Sequence, residues 1–284
     1  MKREEAIKLV QSGFEQLESA LKEGKSDDLM KYLTTMSRFH NYSFRNLVMI
    51  WSQREDATRV AGFRAWQKLG RMVKKGEKGI AIFAPMPFKQ KEKNEGSRNR
   101  TAKGERKSDE EVTMMGFKVV HVFDISQTEG DPLPEPSKVT GKVGVNLERI
   151  QRVVVDSGIE LKFEQLDGAH GYSVGGKVVI DQSLSEAEKF QTIAHELAHE
   201  RLHQGERKTV ATKTVKETEA EAVGFIVSQA FGLDSVTHCA DYIQLYDGNA
   251  DTLRESLSHI QKTAQWIIES INALATDQVK SEAA

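Results

Sequence analysis

The chain has 284 residues, of which 38% are hydrophobic, and this is enough apolar material for one large or two ordinary domains. Its single cysteine, Cys239, excludes an intrachain disulfide and favours a reducing compartment. Charges interrupt the helical apolar spacing of residues 1–24, which suits neither a signal peptide nor a membrane span. We therefore expect a cytoplasmic protein with no membrane partner.

The net charge of -2 hides a difference between the two halves of the chain. Residues 1–137 carry 25 lysines and arginines against 20 acidic residues, whereas the remainder carries 15 against 22. A positive first half predicts an anionic partner, and a nucleic acid, a membrane surface or an acidic protein would each satisfy that charge.

Residues 31–81 favour single-stranded nucleic acid among these partners. They include 11 lysines and arginines against 3 acids, and these cations are interleaved with five aromatics in particular, Tyr42, Phe44, Trp51, Phe63 and Trp66. Unpaired bases stack on aromatic rings, and phosphates pair with the adjacent cations. Because helical apolar spacing also runs through this segment, we expect two or three of the five aromatics to lie in the core. The predicted DNA-binding residues are Arg38, Tyr42, Arg45, Trp51, Arg64, Trp66, Arg71, Lys74, Lys75 and Lys78.

A basic turn and a hairpin are predicted next along the chain. Residues 70–79, GRMVKKGEKG, suggest a flexible turn that contacts phosphates, although a solvated loop has the same composition. The runs at 79–88 and 112–125 have the character of strands. Between them, residues 89–111 contain no apolar residue larger than alanine, so they predict a disordered hairpin tip.

A proline-rich segment divides the chain. Three of the five prolines fall within residues 131–143, where they remove backbone donors that a helix or a sheet would need. We therefore predict two domains, 1–137 and 138–284, in the α+β class. The first is expected to be an α+β domain, and the second a mostly helical domain with a small β-sheet.

The second half begins with a helix near residues 146–157, a strand near 159–165 and a hairpin that turns on Gly175 and Gly176. Ser185 is followed three residues later by Glu188, the capping-box pattern that begins a helix. Apolar spacing then carries that helix across residues 190–203, FQTIAHELAHERLH.

This helix contains an HExxH arrangement. His195 and His199 are four residues apart, about 6 Å between Cβ atoms, so both imidazoles can reach one zinc ion. Glu196 projects about 100° round the helix, beside the ion, and can act as general base on a water bound to it. An amphipathic helix could show the same residues by chance, but the helical context favours the catalytic interpretation. We predict one zinc ion per chain.

The third ligand is sought in the helical run VKETEAEAVGFIVSQAFGLD, residues 215–234. Glu217 and Glu221 share one face, whereas Glu219 projects about 200° away from Glu217. Glu217 is the predicted ligand, with Glu221 as its alternative or as an acceptor from a ligand histidine. Simple solvated acids would explain the same residues. His203 lies about 12 Å along the helix from His195, too far to share the ion, and is expected to pack or cap.

Two family resemblances cover most of the chain. IAHELAHERLH with ETEAEAVGFIVSQAFGLD resembles the ImmA/IrrE-type zinc metallopeptidase domain, which implies His195, His199 and Glu217 as ligands and Glu196 as catalytic base. Residues 39–88, beginning FHNYSFRNLVMIW, and 117–134, FKVVHVFDISQTEGDPLP, resemble the amino-terminal single-stranded-DNA-binding domain of ArdC-type antirestriction proteins. The combination implies a plasmid or phage protein that protects incoming DNA from restriction.

Three functions remain open at this point. The preferred one is a protein that binds single-stranded DNA and also hydrolyses peptide bonds of an unknown protein substrate. The second is a DNA-binding protector with a purely structural metal site, and the third is a regulatory protease that cleaves a repressor. The sequence carries no signal for the oligomeric state.

Overall fold

Eight α-helices and eight short strands form the described part of the chain. The computed structural model describes residues 1–23, 27–89, 113–132, 143–203, 212–233 and 250–282. The helices are α1 Arg3–Lys22, α2 Asp27–Arg38, α3 Phe44–Gln53, α4 Phe63–Lys68, α5 Val145–Asp156, α6 Glu186–Leu202, α7 Lys213–Ala230 and α8 Ala250–Glu282. The strands are β1 Val60–Gly62, β2 Arg71–Val73, β3 Ile80–Lys89, β4 Thr113–Asp124, β5 Thr128–Gly130, β6 Glu160–Glu164, β7 Gly171–Ser173 and β8 Lys177–Asp181. None of these helices has the length and hydropathy needed to cross a bilayer.

The first half places α1, α2 and α3 beside a three-stranded antiparallel sheet in the order β1-β4-β3. β3 and β4 pair from Ile80 opposite Val122 to Lys89 opposite Thr113, which confirms the predicted hairpin. The predicted disordered tip lies almost wholly in residues 90–112, outside the described residues.

Two side-chain amides of α3 complete the exposed hydrogen-bonding edge of β3. The Asn46 amide both donates to the Phe83 carbonyl (2.9 Å) and accepts from the Phe83 N–H (2.8 Å). Gln53 makes the same pair of bonds with Ala81. Because an unpaired strand edge is otherwise left to solvent or another chain, these bonds fix α3 firmly on the sheet.

The basic turn of residues 74–79 is held in place rather than loose. The Gln127 amide donates to Glu77 Oε2 and to the Lys78 carbonyl, both at 2.8 Å. The Lys74 backbone N–H donates to the Gln127 carbonyl at 2.9 Å. The sequence predicted a flexible turn, and these bonds correct that part of the prediction because they hold the turn on the 3-10 segment Ile125–Gln127.

The second half contains a small mixed sheet in the order β6-β8-β7 with helices packed around it. β8 pairs in parallel with β6 and antiparallel with β7. The predicted β7–β8 hairpin is confirmed, and Gly175 and Gly176 turn the chain with φ angles of +64° and +88°. Such angles are open to glycine without steric strain.

One continuous hydrophobic core serves both halves of the chain. It runs from Phe14 in α1 to Ile271 in α8, and the Gln261 side chain of α8 donates to the Tyr42 carbonyl. The α+β class and the two-domain organisation are confirmed, but the domains share a packed interior. The proposed boundary at 137/138 falls in residues 133–142, outside the described residues.

The apolar stripe of α8, a single helix of 33 residues, lies in the core. The buried stripe residues of α8 are Leu253, Leu257, Ile260, Ala264, Ile267 and Ile271.

Candidate functional site

Helix α6 begins at the predicted capping box. The Ser185 N–H and hydroxyl donate to Glu188 Oε2, and the Glu188 N–H donates back to Ser185 Oγ. From this fixed start, the 17-residue helix brings His195 and His199 to one face, where their Nε2 atoms lie 3.0 Å apart.

Helix α7 supplies a carboxylate to the same point. Glu217 Oε2 lies 3.6 Å from His195 Nε2 and 3.4 Å from His199 Nε2. In tetrahedral zinc sites, bonds of about 2.0–2.1 Å separate neighbouring ligand atoms by about 3.3–3.4 Å. The three separations bracket that value, so the donor set and its spacing fit a zinc-sized ion.

Glu221 occupies a different place from Glu217. Its Oε2 lies 3.3 Å from His195 Nδ1, on the ring nitrogen that faces away from the cluster. A carboxylate there fixes the imidazole tautomer and keeps Nε2 free as the metal-facing atom. Glu217 therefore lies at the centre of the cluster, and Glu221 lies on the far side of the His195 ring.

The electrostatics of the cluster favour positive charge at its centre. Burial alone would lower the pKa of His195, but hydrogen bonds to Glu217 and Glu221 outweigh burial and raise it to about 9. The bonds from His195 and His199 hold the pKa of the Glu217 carboxyl well below its usual range. A site that retains a proton this firmly also suits a cation.

Glu196, the predicted general base, follows His195 directly on α6. It is buried, and burial raises the pKa of its carboxyl, against the opposing pull of His195 and His199. A raised pKa brings a carboxylate nearer the working pH, where proton transfer in both directions is efficient. The Glu217 side chain is 53% exposed, so the cluster is open to solvent on that side.

No fourth ligand joins this cluster from the part of the chain that the structure describes. Across those residues, His195, His199 and Glu217 are the one group of three or more histidine, cysteine or acidic side chains close enough to share an ion. Three protein ligands with an open position are typical of catalytic zinc, whereas structural zinc has four.

Two further residues hold the surroundings of the cluster in place. The Glu200 carboxylate accepts from the backbone N–H groups of Gly175 and Gly176 at 3.0 and 2.8 Å, so it ties the β7–β8 turn to α6. Sequence reasoning missed Glu200, although a double-glycine turn with two free amides was a possible signal. His203 is buried at the end of α6 and donates to the Lys216 carbonyl at 3.2 Å, consistent with the predicted packing role.

The predicted DNA-binding residues divide by exposure. Two are buried and must be removed from the list: Trp66, whose indole donates to the Phe123 carbonyl at 2.8 Å, and Trp51, which packs edge-on against Tyr32. Neither ring can stack on a base, because both side chains are buried in the core. Tyr42 is half-buried.

The predicted cations are mostly on the surface. Arg71 is half-buried and donates to Thr128 and to the Gly130 and Asp131 carbonyls, so its guanidinium serves the β2–β5 ribbon and is a poor phosphate contact. Lys74 donates to the Ser126 carbonyl at 3.0 Å but stays exposed. The remaining exposed cations are Arg38, Arg45, Arg64, Lys75 and Lys78.

Two family models match the chain. The N-terminal domain of anti-restriction factor ArdC matches residues 4–123, and the IrrE N-terminal-like domain of the peptidase M78 family matches residues 156–236. The second range contains the whole histidine and glutamate cluster, and the first contains every exposed cation named above.

Comparison with whole proteins gives one sequence relative and two solved structures among the matches. An uncharacterized protein of Bacillus anthracis is 25% identical over 87% of this chain, and the chain spans about half of that protein's length, 48%. The metal-free crystal structure of the antirestriction ArdC protein from the R388 plasmid has 17% identity and a TM-score of 0.56, with 93% of this chain and 98% of that chain covered. The Mn(II)-bound structure of the R388 protein has 18% identity and a TM-score of 0.48, over 84% and 97%.

At 17% identity the metal-free R388 structure bears on the fold alone, and that shared fold extends over both family-matched ranges of the chain. An ArdC N-terminal domain over residues 4–123 therefore precedes an IrrE N-terminal-like domain over residues 156–236 in this chain, and in fold the chain is similar to the R388 ArdC protein.

Proposed function

We propose that this protein is an antirestriction factor of a mobile element that binds single-stranded DNA and hydrolyses peptide bonds with one zinc ion. The observation that carries the enzymatic half is the convergence of His195, His199 and Glu217 beside a buried Glu196. The observation that supports the DNA-binding half is the ArdC N-terminal match over a surface rich in exposed cations.

Each residue of the cluster has a separate task in this proposal. His195, His199 and Glu217 hold the ion, which would lower the pKa of a nearby water molecule toward about 7. Glu196 takes a proton from the attacking water and returns it to the departing amine, the two proton transfers that peptide hydrolysis needs. Glu221 fixes the His195 ring through Nδ1, so that Nε2 keeps its lone pair for the ion.

Zinc is proposed because two imidazole nitrogens and one carboxylate oxygen in a tetrahedral arrangement are typical of that metal. The cytoplasm is the proposed compartment, because entering single-stranded DNA meets restriction enzymes there and the single cysteine needs no oxidising environment.

The proposal is tested by replacing Glu196 with Gln in the full-length protein. We expect zinc content to stay at one ion per chain while hydrolysis falls by about a hundredfold or more, because the ligands remain and the base is lost. Hydrolysis is measured by mass spectrometry of new peptide termini in a host proteome incubated with zinc-loaded protein. Glu186→Gln, an exposed change on the same helix, is the matched control.

A parallel transformation assay separates the alternatives. If the Glu196→Gln variant protects entering DNA as well as the native protein, protection rests on DNA binding and not on hydrolysis. If the native protein releases no new termini from any proteome while it is loaded with zinc, the peptidase proposal is wrong, and a structural metal site is left.

A further inference from the structure

A cleft of about 290 Å³ is lined by residues of the first half and by one residue of α8, and none of them belongs to the metal cluster. It opens between α1, α3, β3 and α8, and its walls include Phe14, Phe44 and Phe83. This volume is near the lower end of the range for small-molecule sites, so the cleft has room for one flat ring system with its attached group.

Two guanidinium groups stand at this cleft, those of Arg45 and Arg254. Arg254 lies over the Phe14 ring at 4.5 Å from the ring centroid, which orients its guanidinium plane on the aromatic wall. Its ion pair is with Asp251 at 3.8 Å, and the Asp251 side chain is 89% exposed, so this contact is weak. Among the described residues, no acidic side chain pairs with Arg45.

The lining contains two cations and no acid, and this charge pattern calls for an anionic occupant. Phe44 and Phe83 are half-buried, so part of each ring remains open to the cleft. An occupant that combines a flat aromatic system with a phosphate satisfies both features, because bases stack on aromatic rings and phosphates pair with guanidinium groups. A purely apolar peptide would bring no anion to the two guanidinium groups.

We propose that this cleft holds one unpaired base of a DNA strand, with the neighbouring phosphate against Arg45 and Arg254. The inference rests on the proposed single-stranded-DNA binding and assigns a specific pocket to it. Duplex DNA is excluded from the pocket, since its bases are stacked and paired and cannot enter a cleft of this size.

Arg254 connects the cleft to the second half of the chain. It lies on α8, outside both family-matched ranges, whereas the rest of the named lining falls within residues 4–123. α8 also packs on α7, the helix that carries Glu217. A strand bound in the cleft therefore contacts both halves of the chain at once.

The test measures binding of a fluorescent oligothymidylate to the full-length protein by anisotropy, over a series of salt concentrations. For the double variant Arg45→Gln/Arg254→Gln, we expect at least about tenfold weaker binding and a salt slope smaller by about 1.4, because two phosphate contacts are lost at about 0.7 each. For Phe83→Leu, we expect about fivefold weaker binding with an unchanged slope, because a stacking partner is lost and no charge.

Lys262→Gln is the matched control. Lys262 is exposed on the same helix, about 12 Å further along than Arg254, so its removal changes the protein's charge without touching the cleft. We expect its effect on affinity to stay below about twofold. All variants alter exposed or half-buried side chains, and thermal unfolding verifies that each is folded.

The outcomes distinguish the cleft from the wider proposal. If the native protein binds the oligonucleotide and the double variant binds it equally well, the cleft inference is wrong while single-stranded-DNA binding stands. If the native protein does not bind the oligonucleotide at all, both the cleft inference and the proposed single-stranded-DNA binding are wrong. If a duplex of the same sequence competes as well as the single strand and loses the same affinity in the double variant, the base pocket is overturned in favour of a general phosphate contact.

Discussion

The metal centre and the proposed DNA-binding surface are built from the chain in opposite ways. Three of the four central residues of the metal centre, His195, Glu196 and His199, come from two turns of one helix, and Glu217 comes from the helix packed against it. The exposed cations that are predicted to bind DNA come from α2, α3, α4 and the turn before β3. A compact site fails when one residue changes, whereas a dispersed surface loses affinity in small steps.

The largest effect we predict is on the free energy of unfolding. It concerns Trp66, which the sequence predicted on the DNA-binding surface and the structure shows in the core. Trp66→Ala should lower the free energy of unfolding by about 3–5 kcal/mol, because a large buried ring and its hydrogen bond to Phe123 are lost. Urea titration measures the change, with Phe63→Ala, an exposed neighbour, as control. If the Trp66→Ala protein kept its stability but bound DNA more weakly, Trp66 would be a DNA-binding residue and not a core residue.

The second prediction distinguishes the role of Glu217 from that of Glu221 by their effects on zinc affinity. Glu221→Gln should weaken zinc affinity by about 10- to 100-fold, the usual effect of removing a residue that orients a ligand. Glu217→Gln should weaken it by more than that, since a ligand charge is lost. Competition with a chromogenic chelator measures both constants. The reverse order would show that Glu221 is the third ligand.

The third prediction uses the raised pKa of His195. Zinc must displace the proton of the His195 ring when it binds. The apparent zinc affinity should therefore rise by about tenfold per pH unit up to about pH 9, the pKa above which the His195 ring is already neutral in the metal-free protein. In the metal-free protein, the protonated ring contributes stability fully below pH about 6.5, and this contribution is lost as the pH rises through about 9. Calorimetry in buffers of different ionisation enthalpy counts the released proton, and no release at pH 7.5 would contradict the assignment.

The smallest effect is expected on the dispersed surface. Replacing Lys74, Lys75 and Lys78 together by Gln should reduce the salt slope of single-stranded-DNA binding by about 2, with about 0.7 from each phosphate contact. Lys177→Gln, a change in the second half, provides the control. An unchanged slope would exclude the basic turn as a contact, whereas a complete loss of binding would show that this surface is concentrated rather than dispersed.

The same contrast explains what could be predicted from the sequence. The spacing of His195 and His199 on one helical face follows from 3.6 residues per turn, and the capping box at Ser185 marks where that helix begins. The relation of Glu217 to Glu221 also follows from helix geometry. These features need only local structure, and the distances of 3.0–3.6 Å between the cluster atoms agree with them.

The burial of Trp51 and Trp66 could not be predicted in this way, because it depends on which face of each helix meets the sheet. The aromatic and basic residues of 31–81 share one composition whether they line a core or a DNA groove. The hydrogen bonds that occupy Arg71 come from residues 57 to 60 positions away along the chain. The cleft could not be predicted from the sequence either, because Arg45 and Arg254 line it together although more than two hundred residues separate them in the chain.

The most direct test of the central claim is X-ray absorption spectroscopy of the zinc-loaded protein. We predict a first shell of nitrogen and oxygen at about 2.0–2.2 Å with the scattering signature of two imidazoles, reduced to one imidazole in His199→Ala. A sulfur scatterer at about 2.3 Å, which would bring Cys239 into the site, or a shell of three or four imidazoles would contradict a centre of His195, His199 and Glu217 with one position left open.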